Sequence, residues 1–253
     1  HGRGRYLLLP GSDGRAALIA ERLSDLVVKR HPRAHNLYLG RLEGDGGQVD
    51  LGVISTGMGT PSLDIIVTEL FRLGARRFLR VGTCGSLQPR VLRQGALVVP
   101  TAAVRDESTS RRYLPPEFPA VASRKVLRAV ELAVEERGEE DVHFGICHSK
   151  DSLFAREFGA GPLASENGRY MEILARGGVL ASEMEASHLF VLGSVFGQEL
   201  RETSQNGELL CGAVLAVIGD DQPFSDAAIG AAAVERAIEL SLHTLKILAR
   251  WDR

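Results

Sequence analysis

The sequence predicts an α/β fold in a single domain spanning residues 1–253, with a mixed, mostly parallel central sheet flanked by helices. Short apolar runs alternate with stretches whose apolar residues recur at helical spacing. Glycine-rich turns close several of these runs. Repeated strand–loop–helix units of this kind build a largely parallel sheet covered by helices on both faces. No linker or internal repeat divides the 253 residues, so we expect one domain.

The first half of the chain carries the clearest alternation. Residues 5–9 predict a strand that stops at a proline and a glycine, and an amphipathic helix follows over residues 15–28. Residues 49–54 predict a second strand, and Pro61 stands where the next helix begins. That helix is expected over residues 63–73, and a third strand over residues 77–81.

The second half repeats the pattern around two polar segments. Residues 105–119 are polar and proline-rich and indicate a loop at the sheet edge, and residues 155–168 indicate a flap. The last helix is expected over residues 226–251. The remaining strands are expected at residues 96–99, 142–147, 179–182 and 212–218.

Composition excludes several classes of protein. The chain is 44% hydrophobic and 25% charged, as in ordinary globular proteins. Its 30 basic and 32 acidic residues argue against a protein that coats nucleic acid, and no apolar run is long enough to span a membrane. The three cysteines, Cys84, Cys147 and Cys211, cannot all pair in disulfides, which favours a reducing, cytoplasmic location.

The residues that follow the predicted strands indicate an anion site. Ligands of parallel α/β sheets bind beyond the carboxyl ends of the strands, where glycine-rich turns present free backbone N–H groups. Arg80 ends an otherwise apolar strand, and Arg15 opens the first helix. A buried arginine must be paired or bind a ligand, and two arginines with amide donors form a pocket of phosphate size.

Each of these features also has a purely structural interpretation. Gly11 is compatible with an ordinary turn, and Arg80 with an ion pair to Glu183 or Glu185. Asp220 is compatible with a helix-entry turn. The histidines lack metal-ligand spacing, so we assign no metal site. The residues alone therefore predict an anion pocket beside a hydroxyl-binding carboxylate, which suits either a phosphorylated sugar or a phosphate that attacks a sugar.

Five sequence blocks in a fixed order resemble the nucleoside phosphorylase family, which includes uridine phosphorylases and hexamer-type purine nucleoside phosphorylases. The blocks are PGSDGR at 10–15, STGMGTPS at 55–62, RVGTCGSLQ at 80–88, FPAV at 118–121 and EME at 183–185. The resemblance implies phosphorolysis, in which a nucleoside and phosphate give a free base and ribose 1-phosphate. It implies no cofactor beyond inorganic phosphate as co-substrate.

The resemblance also assigns roles to residues at matching positions. Phosphate-binding positions are Gly11, Arg15, Arg80 and Thr83. Ribose-binding positions are Met184 and Glu185, with Glu185 accepting hydrogen bonds from ribose hydroxyls. Base-binding positions are Cys84, Gly85, Leu153 and Phe154.

The resemblance leaves the base open. The uridine phosphorylases' Gln-x-Arg pair falls on Glu157 and Gly159 by direct counting, but Asn167 and Arg169 match it after an insertion, and Arg169 would then stabilise the leaving uracil. Asp220 matches the purine phosphorylases' general acid. The first block favours uridine slightly; a purine nucleoside phosphorylase, acting on inosine or guanosine, is the alternative. A nucleosidase of the same fold is less favoured, because it would carry no arginine at the phosphate-binding positions, where this chain has Arg15 and Arg80.

The resemblance further implies a homo-oligomer, either a dimer or a hexamer, with sites near subunit interfaces. The family's third phosphate arginine comes from a neighbouring subunit, and the matching stretch here holds His35 and Asn36, with Arg33 as the substitute. Interface segments are expected at residues 56–66 and 187–195.

Overall fold

The centre of the molecule is a mixed β-sheet. The computed structural model describes residues 5–44, 47–203, 208–220 and 227–252. Ten strands lie within these residues: β1 Tyr6–Pro10, β2 Ser24–Lys29, β3 Leu37–Leu42, β4 Val49–Ile54, β5 Arg77–Ser86, β6 Leu97–Asp106, β7 Ala120–Val121, β8 Val142–Lys150, β9 Ala181–Glu183 and β10 Leu210–Gly219.

Strand β5 is the hub of this sheet. Strands β4, β1, β5 and β10 run parallel side by side, and β6, β8 and β9 form a second parallel group. Antiparallel pairs join β10 to β6 and β9 to the end of β5, so the strands close a ring. The ring brings the carboxyl ends of β8 and β9 beside the last residues of β5.

Helices cover the sheet on both faces. They are α1 Asp13–Ala20, α2 Thr60–Arg72, α3 Arg124–Arg137, α4 Leu153–Phe158, α5 Ala164–Arg176, α6 Ala186–Glu202 and α7 Ala227–Trp251. Strand β1 illustrates why both faces are buried: Tyr6 and Leu8 join the core under α1, α3 and α7, while Leu7 and Leu9 join the core under α2 and α6. Within the described residues, no helix is long and apolar enough to cross a membrane.

The predicted fold class is confirmed, with differences at individual elements. The helix expected over residues 15–28 is wrong in its second half, because α1 ends at Ala20 and β2 follows. The β-branched pair Val27–Val28 suits a strand, and β2 hydrogen-bonds antiparallel to β3. The segment expected to be a flap contains α4 and the start of α5.

Candidate functional site

Arg80 of β5 is buried and leaves one donor nitrogen free. Its Nε donates to Glu183 Oε2 at 3.1 Å, and its Nη2 donates to the Glu185 carboxylate. Burial opposes its charge, but Glu185 and Glu183 outweigh burial and raise the pKa of Arg80. Its Nη1 is buried and has no hydrogen-bond partner within the described residues. An unpaired buried donor on a charged group is costly, so this nitrogen is suited to an anion.

Glu183 holds this arrangement in place. Its carboxylate accepts hydrogen bonds from the backbone N–H of Glu185 at 2.8 Å and of Ala186 at 2.9 Å, which satisfies donors at the start of α6. Ser149 also donates to it. The ion pair offered as a structural interpretation of Arg80 is therefore present, and it leaves Nη1 available for a ligand.

Arg15 adds a positive charge that no carboxylate of the described residues neutralises. Its Nη1 donates to the Val81 carbonyl at 3.2 Å, and among the residues that the structure describes it has no acidic partner. Burial lowers the pKa of Arg15, and the nearby Arg80 lowers it further. The backbones of Gly11 and Gly57 meet beside α1, where a Cβ on Gly11 would lie 3.7 Å from the Gly57 carbonyl oxygen.

Glu185 connects Arg80 to the turn after β4. One carboxylate oxygen accepts from the backbone N–H of Gly59, and the other accepts from Arg80. Burial raises the pKa of Glu185, Arg80 opposes this rise, and Glu183 adds to it. Met184 is half-buried beside it, and Thr83 is half-buried on β5. Each carboxylate oxygen has two lone pairs, so Glu185 can still accept hydroxyl hydrogen bonds.

The predicted base-binding residues lie on β5 and α4. Cys84 is buried, with its Sγ 3.7 Å from the Ala216 carbonyl oxygen, and burial raises the pKa of its thiol. Gly85 follows it at the end of β5. Leu153 and Phe154 are exposed on α4, with 68% of Phe154 accessible.

Arg169, the residue predicted to bind uracil, lies on α5. Its side chain is exposed on α5 and has no hydrogen bond or ion pair with the described residues. Asn167, the other half of the predicted pair, is occupied: its Oδ1 accepts from Arg156 at 2.6 Å and its Nδ2 donates to the Ala155 carbonyl at 3.1 Å. The binding of uracil by this pair stays a prediction.

Asp220 faces the connection between β5 and β6. Its Oδ2 accepts a hydrogen bond from the backbone N–H of Gln94 at 3.2 Å and lies 4.0 Å from Arg93 Nη1. These contacts fit a role in holding the turn, and the general-acid role stays a prediction. Its neighbour Asp221 lies outside the described residues.

Glu157 lies beside Gly85 and is paired with a buried lysine. Lys150 is buried at the end of β8 and forms an ion pair with Glu157 of α4 at 2.5 Å. A Cβ on Gly85 would lie 3.7 Å from Glu157 Oε2. The sequence signal for Glu157 was its distance from Asp151, which placed it at the first position of the base-reading pair.

Arg15, Arg80 and the Gly11 turn, which we call the anion cradle, and the adjacent Glu185 carboxylate belong to an α/β protein, and their arrangement suits an anion next to a polyhydroxyl group. The profile of the Phosphorylase superfamily matches residues 5–245, and the chain belongs to this superfamily. The resemblance stated from the sequence blocks is confirmed.

Individual relatives agree with this membership. The chain is 35% identical to a uridine phosphorylase of Treponema pallidum over 98% of this chain and 91% of that protein. It is 33% identical to a guanosine phosphorylase of Halorubrum lacusprofundi over 95% of this chain and 92% of that protein. The crystal structure of uridine phosphorylase from Vibrio fischeri ES114 superposes with a TM-score of 0.81 at 26% identity, covering 96% of this chain and 91% of that one.

Proposed function

We propose that this protein is a nucleoside phosphorylase, a pentosyltransferase that uses inorganic phosphate as its co-substrate and no other cofactor. The observation that carries the proposal is the buried Nη1 of Arg80, which has no hydrogen-bond partner among the described residues. Arg15 lies near it and has no acidic partner among those residues. A nucleosidase, which attacks with water, has no use for two positive side chains at this position. The sequence relatives are named for the same reaction class.

In the proposed reaction, phosphate lies between Arg15, Arg80, the Thr83 hydroxyl and the Gly11 turn. A phosphate oxygen forms a bond to C1′ of the ribose while the bond from C1′ to the base nitrogen breaks. The electron pair of that bond stays on the base, which then takes up a proton. Fixing phosphate at the correct distance from C1′ removes much of the entropic barrier.

The ribose lies against Met184 and Glu185 in this proposal. Glu185 accepts hydrogen bonds from the ribose hydroxyls, and its charge helps to stabilise the positive charge that develops on the ring. Because Arg80 contacts both phosphate and Glu185, one side chain fixes the two reactants relative to each other.

The experiment that tests this proposal follows base release by absorbance for uridine, inosine and guanosine, each with and without phosphate. We expect phosphate-dependent cleavage of at least one of them and formation of ribose 1-phosphate. Cleavage that proceeds equally without phosphate would identify a nucleosidase, and no cleavage of any of the three would reject the proposal. Uridine is the substrate that the sequence favours.

Glu185→Gln is expected to impair ribosides more than the matching 2′-deoxyribosides, because a hydrogen bond to a charged acceptor is lost only when the 2′-hydroxyl is present. Such bonds contribute about 1.5–3 kcal/mol, so kcat/KM for the riboside should fall about 10- to 100-fold further. Glu183→Gln is the matched control, since Glu183 only positions its neighbours and should affect both substrates equally. Equal losses in Glu185→Gln would remove the hydroxyl-binding role.

We also propose that the protein assembles as a homo-oligomer, a dimer or a hexamer. Strand β2 is exposed along its whole length, and in the predicted segment 56–66 the side chains of Met58 and Ile65 are 85% and 58% exposed. Most of the other predicted segment, residues 187–195, is buried in the core of its own chain. Sedimentation velocity should give more than one copy per particle, and a monomer at assay concentration contradicts the proposal.

The neighbouring subunit would complete the phosphate site in this assembly. His35 and Asn36 are hydrogen-bonded to Ser55 and Asp13 of their own chain, whereas Arg33 is exposed. Arg33 is therefore the residue of this stretch best suited to reach across. A single nucleoside phosphorylase domain over residues 1–253 and a cytoplasmic location complete the proposal; Cys84, Cys147 and Cys211 are free thiols.

A further inference from the structure

The pair formed by Lys150 and Glu157 is a charged group without a role in the chemistry described above. Lys150 is only 2% exposed, and its three N–H bonds have three acceptors: Glu157 Oε1 at 2.5 Å, Ser182 Oγ at 2.8 Å and the Glu183 carbonyl oxygen at 3.5 Å. Burying a lysine is costly unless it is paired, so Lys150 requires the carboxylate of Glu157 as its partner. Its visible effect is to fix the position of the Glu157 carboxylate.

The second oxygen of that carboxylate is free and faces Gly85. Within the described part of the chain, Glu157 Oε2 accepts no hydrogen bond, and the side chain is 17% exposed. Its charge also raises the pKa of the Cys84 thiol, after burial and Glu183, while Lys150 lowers it. Glu157 therefore presents an accessible acceptor at the end of β5 away from the arginines.

The helix that carries Glu157 also carries exposed aromatic rings. Phe154 and Phe158 are 68% and 67% exposed on α4, and their centroids lie 5.8 Å apart in an edge-on arrangement. Exposed aromatic side chains are the usual partners for the faces of nucleobases. A carboxylate and two such rings on one short helix form a surface suited to a flat ligand with N–H groups on its edge.

We propose that Glu157, held by Lys150, reads the base, and that it selects guanine over uracil. This inference rests on the proposed phosphorylase function. A carboxylate only accepts hydrogen bonds. The guanine edge offers two adjacent donors, N1–H and the 2-amino group, which match the free Oε2 and the lone pair of Oε1 that Lys150 leaves open. Uracil offers one N–H between two carbonyl oxygens, and the second carboxylate oxygen would face one of them. Lys150 has no N–H left for these carbonyls.

The test compares kcat/KM for guanosine, inosine and uridine at saturating phosphate. We expect guanosine to exceed uridine by at least about 100-fold, because a site built for hydrogen bonds rejects bases that lack the partners. Inosine, which lacks the 2-amino group, should fall between them. Uridine equal to or better than guanosine overturns the proposal.

The Glu157→Gln variant tests whether Glu157 causes the preference for guanosine over uridine. We expect kcat/KM for guanosine to fall about 10- to 100-fold with the KM for phosphate unchanged, since Glu157 lies outside the anion cradle. Glu172→Gln, an exposed carboxylate on α5, is the matched control. An unchanged ratio of guanosine to uridine in a folded Glu157→Gln protein overturns the role of Glu157.

Calorimetric binding of free guanine, hypoxanthine and uracil separates this inference from the phosphorylase function. Guanine should bind most tightly to the wild-type protein and lose about tenfold or more in affinity with Glu157→Gln. If no nucleoside is cleaved but guanine binding depends on Glu157, only the proposed reaction fails. If phosphorolysis occurs and guanine has no advantage, only the inference on the base fails.

Discussion

Arg80→Ala is expected to reduce kcat by about 100- to 1000-fold and to raise the KM for phosphate strongly. The substitution removes the free Nη1 that faces the anion site and also the partner of Glu183 and Glu185. Burial would then favour the protonated form of Glu185, so the ribose contact weakens together with the phosphate contact. Initial rates over a matrix of phosphate and nucleoside concentrations measure both effects.

Controls separate catalysis from folding in this experiment. Arg128→Ala removes an exposed arginine of α3, 55% accessible, and should leave both constants unchanged. Arg80→Lys keeps the charge but not the fork that reaches two carboxylates and an anion at once, so we expect an intermediate activity. A folded Arg80→Ala protein with a normal KM for phosphate would falsify the placement of Arg80 in the phosphate site.

Asp252→Ala is expected to lower the free energy of unfolding by about 3–5 kcal/mol, the usual result of leaving a buried charge unpaired. Asp252 accepts hydrogen bonds from Tyr6 Oη at 2.7 Å, Arg77 Nε at 2.8 Å and Lys125 Nζ at 3.0 Å. The Arg77 side chain is 3% exposed, so it has no access to water when Asp252 is removed. Urea unfolding at fixed protein concentration measures the change.

The same residue predicts an acid dependence of stability. Burial acts against ionisation, but hydrogen bonds from Arg77, Tyr6 and Lys125 prevail and lower the pKa of Asp252. Because the pKa is lower in the folded state, its contribution is complete above the unfolded value of about 3.9 and is lost as pH falls below it. The Asp252→Ala protein should lack this loss of stability at low pH. Asp50→Ala, whose partners are exposed, should cost less than about 1 kcal/mol; an equally small effect of Asp252→Ala contradicts the prediction.

The parts of the fold and site that were predictable depend on local pattern. Strands β1 and β4 are apolar runs that end before glycine-containing turns, and parallel strands place such turns at one edge of the sheet. The strand expected over residues 77–81 is longer than predicted, because β5 continues through Gly82 and Gly85 to Ser86. Arg80 stood out because a charge interrupts such a run. Its proximity to Glu183 and Glu185 was predictable only as one of two alternatives, and the structure contains both the ion pair and a free nitrogen.

The parts that were missed depend on contacts between distant segments. Residues 24–28 continue a helical periodicity, yet hydrogen bonds to β3 make them a strand. Asn167 and Arg169 have the spacing of a base-reading pair, but spacing does not show that Arg156 donates to Asn167, and the role of the pair stays a prediction. Lys150 was given no role from the sequence, because its burial depends on the ring of strands.

The two ends of the proposed site lie on different secondary-structure elements. The anion end is held by strands β1, β5 and β9 and by carboxylates whose hydrogen bonds run to backbone N–H groups. The proposed base end includes α4, which is six residues long and has no buried side chain. Substitutions of its exposed residues Leu153, Phe154 and Phe158 should therefore cost the core little, so variants at these three positions can change the preferred base while the residues proposed for phosphate and ribose stay intact. Glu157 is the exception, because it is the ionic partner of the buried Lys150. Base selectivity and bond cleavage can therefore change independently of each other, in evolution and in protein engineering.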